Sequence, residues 1–167
     1  RPTILNNLGS GLRDRYTHNG RPADLDAAIA AWQQALAATP PDAPARPMYL
    51  TNLGNGLHAR YARSGRLEEL DAAIAAFEQA LAATPPDSPN RPTILNNLGS
   101  GLRDRYTHNG RPADLDAAIA AYEQALAATP PDSPARPMYL TNLGSGLHAR
   151  YARSGRLEDL DAAIAAY

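Results

Sequence analysis

The sequence contains no cysteine, no lysine and no valine, and a single phenylalanine and a single tryptophan among its 167 residues. Without cysteine there are no disulfides and no thiolate metal ligands, although that absence alone does not fix a compartment. Without lysine, all 16 basic residues are arginine, and they are interspersed with 17 acidic ones to leave a net charge of −1. A chain so balanced has no field that seeks polyanions, so nucleic acid is not an expected partner. Strand formers are scarce, which argues against sheets and for an all-α fold. No apolar run approaches the roughly 18 residues of a membrane span, and no signal-peptide pattern opens the chain. The membrane is therefore not an expected partner, and the cytoplasm is the default location. The chain starts at Arg1 rather than at a methionine, as a piece excised from a longer protein would.

What is present is repetition. At a step of 45 the chain falls into rows 1–45, 46–90, 91–135 and a truncated 136–167. Rows one and three agree at 42 of 45 positions, and rows two and four at 29 of the 32 they share, but rows one and two at only 29 of 45. The duplicated unit is thus a pair of rows. A fixed period of this size predicts stacked supersecondary units, each too small to bury its own apolar face, in one continuous array.

Each full row is predicted to hold two helices. The first begins near "SPNRP" or "SPARP", where Ser88 or Ser133 is expected to cap and both prolines fall in the first turn. It ends at Asn19-Gly20, Ser64-Gly65 and their copies, where glycine supplies the left-handed terminating residue. The second opens at Pro22 or Leu67. Asp24 and Asp26, or Glu68, Glu69 and Asp71, lie in its first turns, where carboxylates suit the helix dipole. It stops at the Pro40-Pro41 pair.

"NLGSGL" in the first helix, followed by "AAIAAWQQAL" and a proline in the second, resembles the tetratricopeptide repeat. Leu8, Gly9, Ala28, Trp32, Ala35 and Pro40 fit its leucine, small, alanine, aromatic, alanine and proline positions. Leu5 and Leu50 stand where that repeat usually has tryptophan, and Leu12 where it usually has tyrosine. The period is also longer than the usual one. With the "RY…G" turn and the acidic start of the second helix, this resembles the long repeats found beside CHAT domains, which are caspase-like proteases. The resemblance implies a right-handed α-solenoid whose first helices line a concave groove for extended or helical peptides.

On a wheel drawn at about 100° per residue, Leu5, Leu8, Leu12 and Tyr16 share a sector roughly 80° wide. None of them changes in row two. Gly9 borders that sector and Gly11 is not far from it. A glycine within a helix costs about 0.5–1 kcal/mol against alanine, so two in one helix predict close backbone approach. The changes between rows one and two fall elsewhere: Thr3→Met48, Ile4→Tyr49, Asn6→Thr51, Ser10→Asn55, Arg13→His58, Asp14→Ala59 and Thr17→Ala62. All but Ile4 lie in a sector roughly 100° wide, opposite the leucines, with unchanged Asn7 beside it. A solvated face free to drift would look similar. Against that, the exposed side of the second helix (Ala27, Ala30, Gln34, Ala37) hardly varies between rows. The first helix also places Asn, Ser, Thr and His on its open side, each a few tenths of a kcal/mol worse than alanine for helix formation.

The predicted contact residues follow. They are Asn6, Asn7, Ser10, Arg13 and Asp14 in row one, and Asn96, Asn97, Ser100, Arg103 and Asp104 in row three. The even rows contribute Thr51, Asn52, Asn55 and His58, then Thr141, Asn142, Ser145 and His148. Asparagine amides can bond a peptide backbone as donor and acceptor, arginines would meet carboxylates, and Asp14 and Asp104 would limit how acidic a ligand may be.

No chemistry is expected. His18 and His108 share one repeat position and His58 and His148 another, without HxxxH spacing or a carboxylate at ligand spacing, so no metal site is predicted. The serines have no GxSxG elbow, there is no phosphate loop, and "LGSGL" sits within a helix rather than after a strand. No cofactor and no catalytic residue are assigned. The expected function is a protein- or peptide-binding scaffold forming the regulatory or sensor part of a larger protein. The rival reading is a purely structural or self-assembling rod, natural or designed. The first helix of row one and the last helix also lack the polar outer face that ends an array, which predicts head-to-tail self-association.

Overall fold

A computed structural model describes all of residues 1–167 and contains eight α-helices and no strand. They are α1 (Pro2–Asn19), α2 (Pro22–Ala37), α3 (Arg46–Ser64), α4 (Leu67–Ala82), α5 (Arg91–Asn109), α6 (Pro112–Ala127), α7 (Arg136–Ser154) and α8 (Leu157–Ala166). Two compact units divide the chain, Arg1–Thr84 and Pro85–Tyr167, each built from two helix pairs. The helix order matches the two-per-row expectation. No helix is long and apolar enough to cross a membrane.

The turn inside every pair is made the same way. Gly20, Gly65, Gly110 and Gly155 have φ between 66° and 70°, and each donates its N–H to the carbonyl of the tyrosine four residues back. That left-handed backbone is one that glycine alone adopts without penalty, so the helix stops there and the next begins two residues on. The other end differs from expectation. α5 and α7 start at Arg91 and Arg136, and Asn90 and Ala135 precede them without any side-chain cap. Ser88 and Ser133 instead sit in the connecting turn, where their hydroxyls accept the N–H groups of Asn90 and Ala135 at 3.3 Å. Pro89 and Pro134 therefore lie before the helices, and only Pro92 and Pro137 fall within their first turns.

The first unit packs α2 between α1 and α3, and α3 against α4. Leu25, Ala28, Trp32 and Ala35 of α2 and Leu70, Ala73, Phe77 and Ala80 of α4 have no exposed surface. Trp32 reaches back under α1, where its indole Nε1 donates to the carbonyl of Asn6 at 3.2 Å. A Cβ on Gly9 would lie 2.6 Å from that nitrogen, so the missing side chain is what admits the ring. The second unit repeats this arrangement with Tyr122 at Gly99 and Tyr167 at Gly144. Its core gathers Leu115, Ile119, Leu147 and Ala163, with Tyr106, Leu143 and Ala149 against them. Gly11 and its copies have a different role from Gly9 and its copies. A Cβ on Gly56 would meet Trp32 at 2.7 Å and Ile29 at 3.0 Å, and one on Gly146 would meet Ile119 at 3.1 Å. One glycine of each first helix thus admits its own partner helix, and in α3 and α7 the other admits the second helix of the row before.

The acids that the sequence suggests as helix-start charges do more than meet a dipole. Asp24, Glu69, Asp114 and Asp159 are buried. Arg15 clasps Asp24 through both carboxylate oxygens, at 2.9 and 2.5 Å, while Asn19 donates to it at 3.0 Å. Arg105 and Asp114 make the same two-point pair in the second unit, at 3.1 and 2.7 Å. In row two, Arg60 stands 3.0 Å from Glu69, and Ser64 donates to that carboxylate at 2.7 Å. These pairs bracket the turn between the two helices of each row. Arg60 also reaches Asp26 at 3.4 Å, and Arg150 reaches Asp116 at 3.5 Å, which ties the two rows of each unit together.

Candidate binding surface

Consecutive first helices meet along one side in each unit. In the first, the Thr3 and Tyr49 hydroxyls are 3.4 Å apart, and Asn52 Nδ2 donates to Asn6 Oδ1 at 2.9 Å. Asn6 in turn donates to the Asn7 side-chain oxygen at 3.4 Å. In the second unit, Thr93 and Tyr139 are 3.3 Å apart, and Asn142 donates to Asn96 at 2.8 Å. Asn6 and Asn96 are consequently buried, each 5% exposed, and not on the open side where the wheel places them. The wheel treats a helix alone. The next first helix crosses this flank and covers it.

The other predicted residues remain within reach of solvent. In α1, Asn7 and Asp14 are exposed and Ser10 and Arg13 half-buried; in α3, Thr51, Asn52, Asn55 and His58 are half-buried. In α5, Asn97, Ser100, Arg103 and Asp104 are half-buried. In α7, Thr141 and His148 are exposed, with Asn142 and Ser145 half-buried. Asn6 with Asn52, and Asn96 with Asn142, are brought into direct contact.

The surface carries polar groups whose own bonds are mostly local. Thr51 and Thr141 donate to the carbonyls of Pro47 and Pro137 at 2.8 and 2.9 Å. Ser100 and Ser145 likewise donate to the carbonyls of Asn96 and Thr141, at 3.0 and 2.9 Å. Such back-bonding uses the hydroxyl proton and leaves the oxygen lone pairs as acceptors. Arg13 pairs with Asp14 at 3.2 Å and Arg103 with Asp104 at 3.8 Å. The exposed pair in α1 is worth about 0–1 kcal/mol, so a competing carboxylate can displace it at small cost. The His58 ring stacks on Tyr61 and that of His148 on Tyr151, with centroids 6.4 Å apart in both. Tyr122 lies beneath this surface in the second unit. Burial raises its phenol pKa, against the lowering effect of its hydrogen bond to Ser100.

One concavity was not anticipated from the sequence. It is a trough of about 760 Å³ in the first unit, bounded by α2 and α4 and floored by Leu50, Leu53 and Leu57 of α3. Arg46, Arg60, Arg63 and Arg66 stand along it with Asp26, Glu68 and Glu69. Several of these charges are already engaged. Arg46 donates to the Leu36 and Thr39 carbonyls at the end of α2, and Arg60 bridges Asp26 and Glu69. The sequence signal was available in the arginine at position 15 of each row and the acid nine residues later. No group of three or more histidines, cysteines or carboxylates is placed to hold a metal ion.

Three solved structures share the arrangement. BtubC from P. vanneervenii superposes with a TM-score of 0.70 at 23% identity, over 99% of this chain and 61% of that one. MamA gives 0.65 at 17% identity, over 99% and 78% of the two chains. The Sgt2 tetratricopeptide domain from Aspergillus fumigatus gives 0.63 at 23% identity, over 93% and 83%. At these identities the likeness is one of fold. No curated protein is similar enough in sequence to count as a relative. The family model described as Tetratricopeptide Repeats-Sensor matches residues 24–143, well over half of the sequence. The chain belongs to the Tetratricopeptide Repeats-Sensor family.

Proposed function

We propose that the chain is a protein- or peptide-binding module that works through the open side of its first helices. The tetratricopeptide fold is one of interaction scaffolds, and the observation that carries the finer reading is the contrast between two exposed surfaces. From Asp26 to Ala38, the exposed residues of α2 and α4 are Asp26/Asp71, Ala27/Ala72, Ala30/Ala75, Gln33/Glu78, Gln34/Gln79, Ala37/Ala82 and Ala38/Ala83, which differ at one position. On the first helices, Ser10, Arg13 and Asp14 are replaced by Asn55, His58 and Ala59, while Asn7 and Asn52 stay. Past the first turn, where exposed Ala23 becomes Glu68, a surface free to drift would drift on both helices. One that reads different side chains of an extended ligand in alternate rows would vary only where the ligand lies. The retained asparagines suit its backbone, and the alternating Arg13 and His58 its side chains.

On this reading the chain is the regulatory or sensor part of a larger cytoplasmic protein, with a caspase-like CHAT protease as the expected effector. It has no catalytic role of its own and needs no cofactor. Sequencing the gene beyond residue 167 tests the association, since a His/Cys protease domain is expected there. The groove itself is tested by display of a peptide library on the wild-type chain and on the combined Asn7→Ala, Arg13→Ala, Asn55→Ala variant. Loss of the enriched peptides is expected, with binding kept when Ala30 and Gln34 are substituted. The reverse pattern would overturn the assignment.

The second reading is a self-assembling rod without a specific ligand. It is favoured by the near-identity of alternate rows, which agree at 42 of 45 positions between rows one and three.

A further inference from the structure

The leucine-floored trough of the first unit carries an unbalanced charge at one end. Arg60 spans Asp26 at 3.4 Å and Glu69 at 3.0 Å, and Glu69 also accepts the Ser64 hydroxyl. Arg66 stands 4.0 Å from Glu68 and 3.8 Å from Glu69, and Arg46 is held by the carbonyls that end α2. Arg63, exposed in the last turn of α3, pairs with no acid. Its copy in the second unit is placed differently, since Arg153 reaches Asp116 at 4.0 Å. The trough thus holds four arginines against three acids, and the charge left over is that of Arg63.

Between the charges the trough is apolar. Leu53 is half-buried on its floor with Leu50 and Leu57 closed on either side, and half-buried Leu36 and exposed Ala72 and Ala75 stand in its walls. Arg46 to Arg63 covers about 25 Å of helix, so the 760 Å³ are drawn out into a channel of about 30 Å² in section. A helix, about 10 Å across with its side chains, is too wide for that. An extended peptide has the width, but away from the charged end the walls offer its backbone only the amides of Gln33 and Gln79. N–H and C=O groups left without partners on an apolar floor are costly to desolvate. An alkyl chain has the right section and no polar group to satisfy.

We propose that this trough binds a single medium-chain carboxylate, its head on Arg63 with Arg66 beside it and its chain laid along Leu57, Leu53 and Leu50. Side chains on a helix lean toward its N-terminus, which carries the Arg63 guanidinium back over the trough. Leu50 is about 20 Å from Arg63 along α3, and with that reach taken off the remaining distance matches a dodecanoate ion. Leu53 lies on the side of α3 opposite Asn55, so the site is separate from the peptide-binding surface proposed above and does not depend on it.

Calorimetric titration of the full chain with sodium dodecanoate, kept below the concentration at which it forms micelles, tests the site. One ion per chain should bind. Dodecylammonium, with the same tail and the opposite head, and acetate, with the head alone, should not. Arg63→Gln should weaken binding by about tenfold or more, the scale of a hydrogen bond to a charged group. Ala75→Glu should abolish it by placing a carboxylate in the channel, whereas Ala30→Glu, outside the trough, should leave it unchanged. All three positions are exposed, and circular dichroism shows that each variant keeps its helices. Equal binding of dodecylammonium, or undiminished binding by Arg63→Gln and Ala75→Glu, would mean adsorption to apolar surface and would overturn the site. Absence of dodecanoate binding overturns it as well, and an acidic amphipathic peptide that bound there instead would give the trough to a protein partner.

Discussion

A Cβ on Gly54 would lie 2.5 Å from Cε1 of Phe77, whose ring has no surface left exposed. The corresponding glycines of the other rows face Trp32, Tyr122 and Tyr167 in the same manner, so the aromatic at this point changes while the hydrogen beneath it does not. The invariant element of the repeat is therefore an absence of side chain, two residues away from a second absence that in α3 and α7 serves the row before.

Alanine at these two kinds of position should act with opposite sign. Gly54→Ala has to push the Phe77 ring aside, and overpacking of a filled core costs about 1–3 kcal/mol. The helix-propensity gain of about 0.5–1 kcal/mol does not offset it. Gly11→Ala meets no atom and should stabilise by about that same propensity gain. Urea unfolding of both variants decides the matter, and shifts in the same direction would contradict this reading of the two glycines.

The amides of buried Asn6 and half-buried Asn52 should prove coupled. Asn52→Ala leaves the buried Asn6 oxygen without its 2.9 Å donor, and an orphaned group of this kind costs about 1–3 kcal/mol. Asn6→Ala combined with Asn52→Ala should cost less than the sum of the two single changes, by about 0.5 kcal/mol or more. Strict additivity in a double-mutant cycle would mean that the bond contributes nothing.

Stability should fall in acid because of the turn brackets. The Arg15 guanidinium, helped by Asn19, lowers the Asp24 carboxyl from its ordinary value of 3.8, and Arg150 does the same for Asp159. A carboxyl depressed in the folded state binds protons more weakly there than in the unfolded chain. Its stabilisation is complete above the ordinary value and is lost as pH falls through it toward the depressed one. Denaturation measured from pH 6 to 2 should therefore show a loss that begins near about pH 4. Asp24→Asn with Asp159→Asn should flatten that limb, and an unchanged slope would remove the brackets as its cause.

Much of this molecule was legible in its letters. Gly20 and its copies marked the turns, because only glycine ends a helix in the left-handed region without penalty. The leucines at positions 5, 8 and 12 showed which side packs, and the paired glycines announced close approach before any partner was known. The starts of α5 and α7 were misplaced, because Ser88 and Pro89 carry helix-start chemistry but are held in a separate turn by the Pro85 and Ser88 carbonyls. In the sequence Asp24 reads as a helix-start charge. Its burial depends on Arg15, nine residues earlier across the turn, and spacing along one helix cannot reveal such a partner.

By itself the sequence determined the period, the helix pairs and their family, since repetition, glycine stops and apolar spacing are properties of neighbouring residues. It also separated the varying surface from the constant one, because that needs only a comparison of rows. Tertiary structure decided that Asn6 is inside, that one glycine of each first helix serves its own row while Gly56 and Gly146 serve the row before, and that Gly11 is open where Gly56 is filled. These outcomes depend on which helix crosses which flank, and at what distance. Two chemically identical glycines differ only in what stands above them, and that is a fact about packing which no local pattern contains.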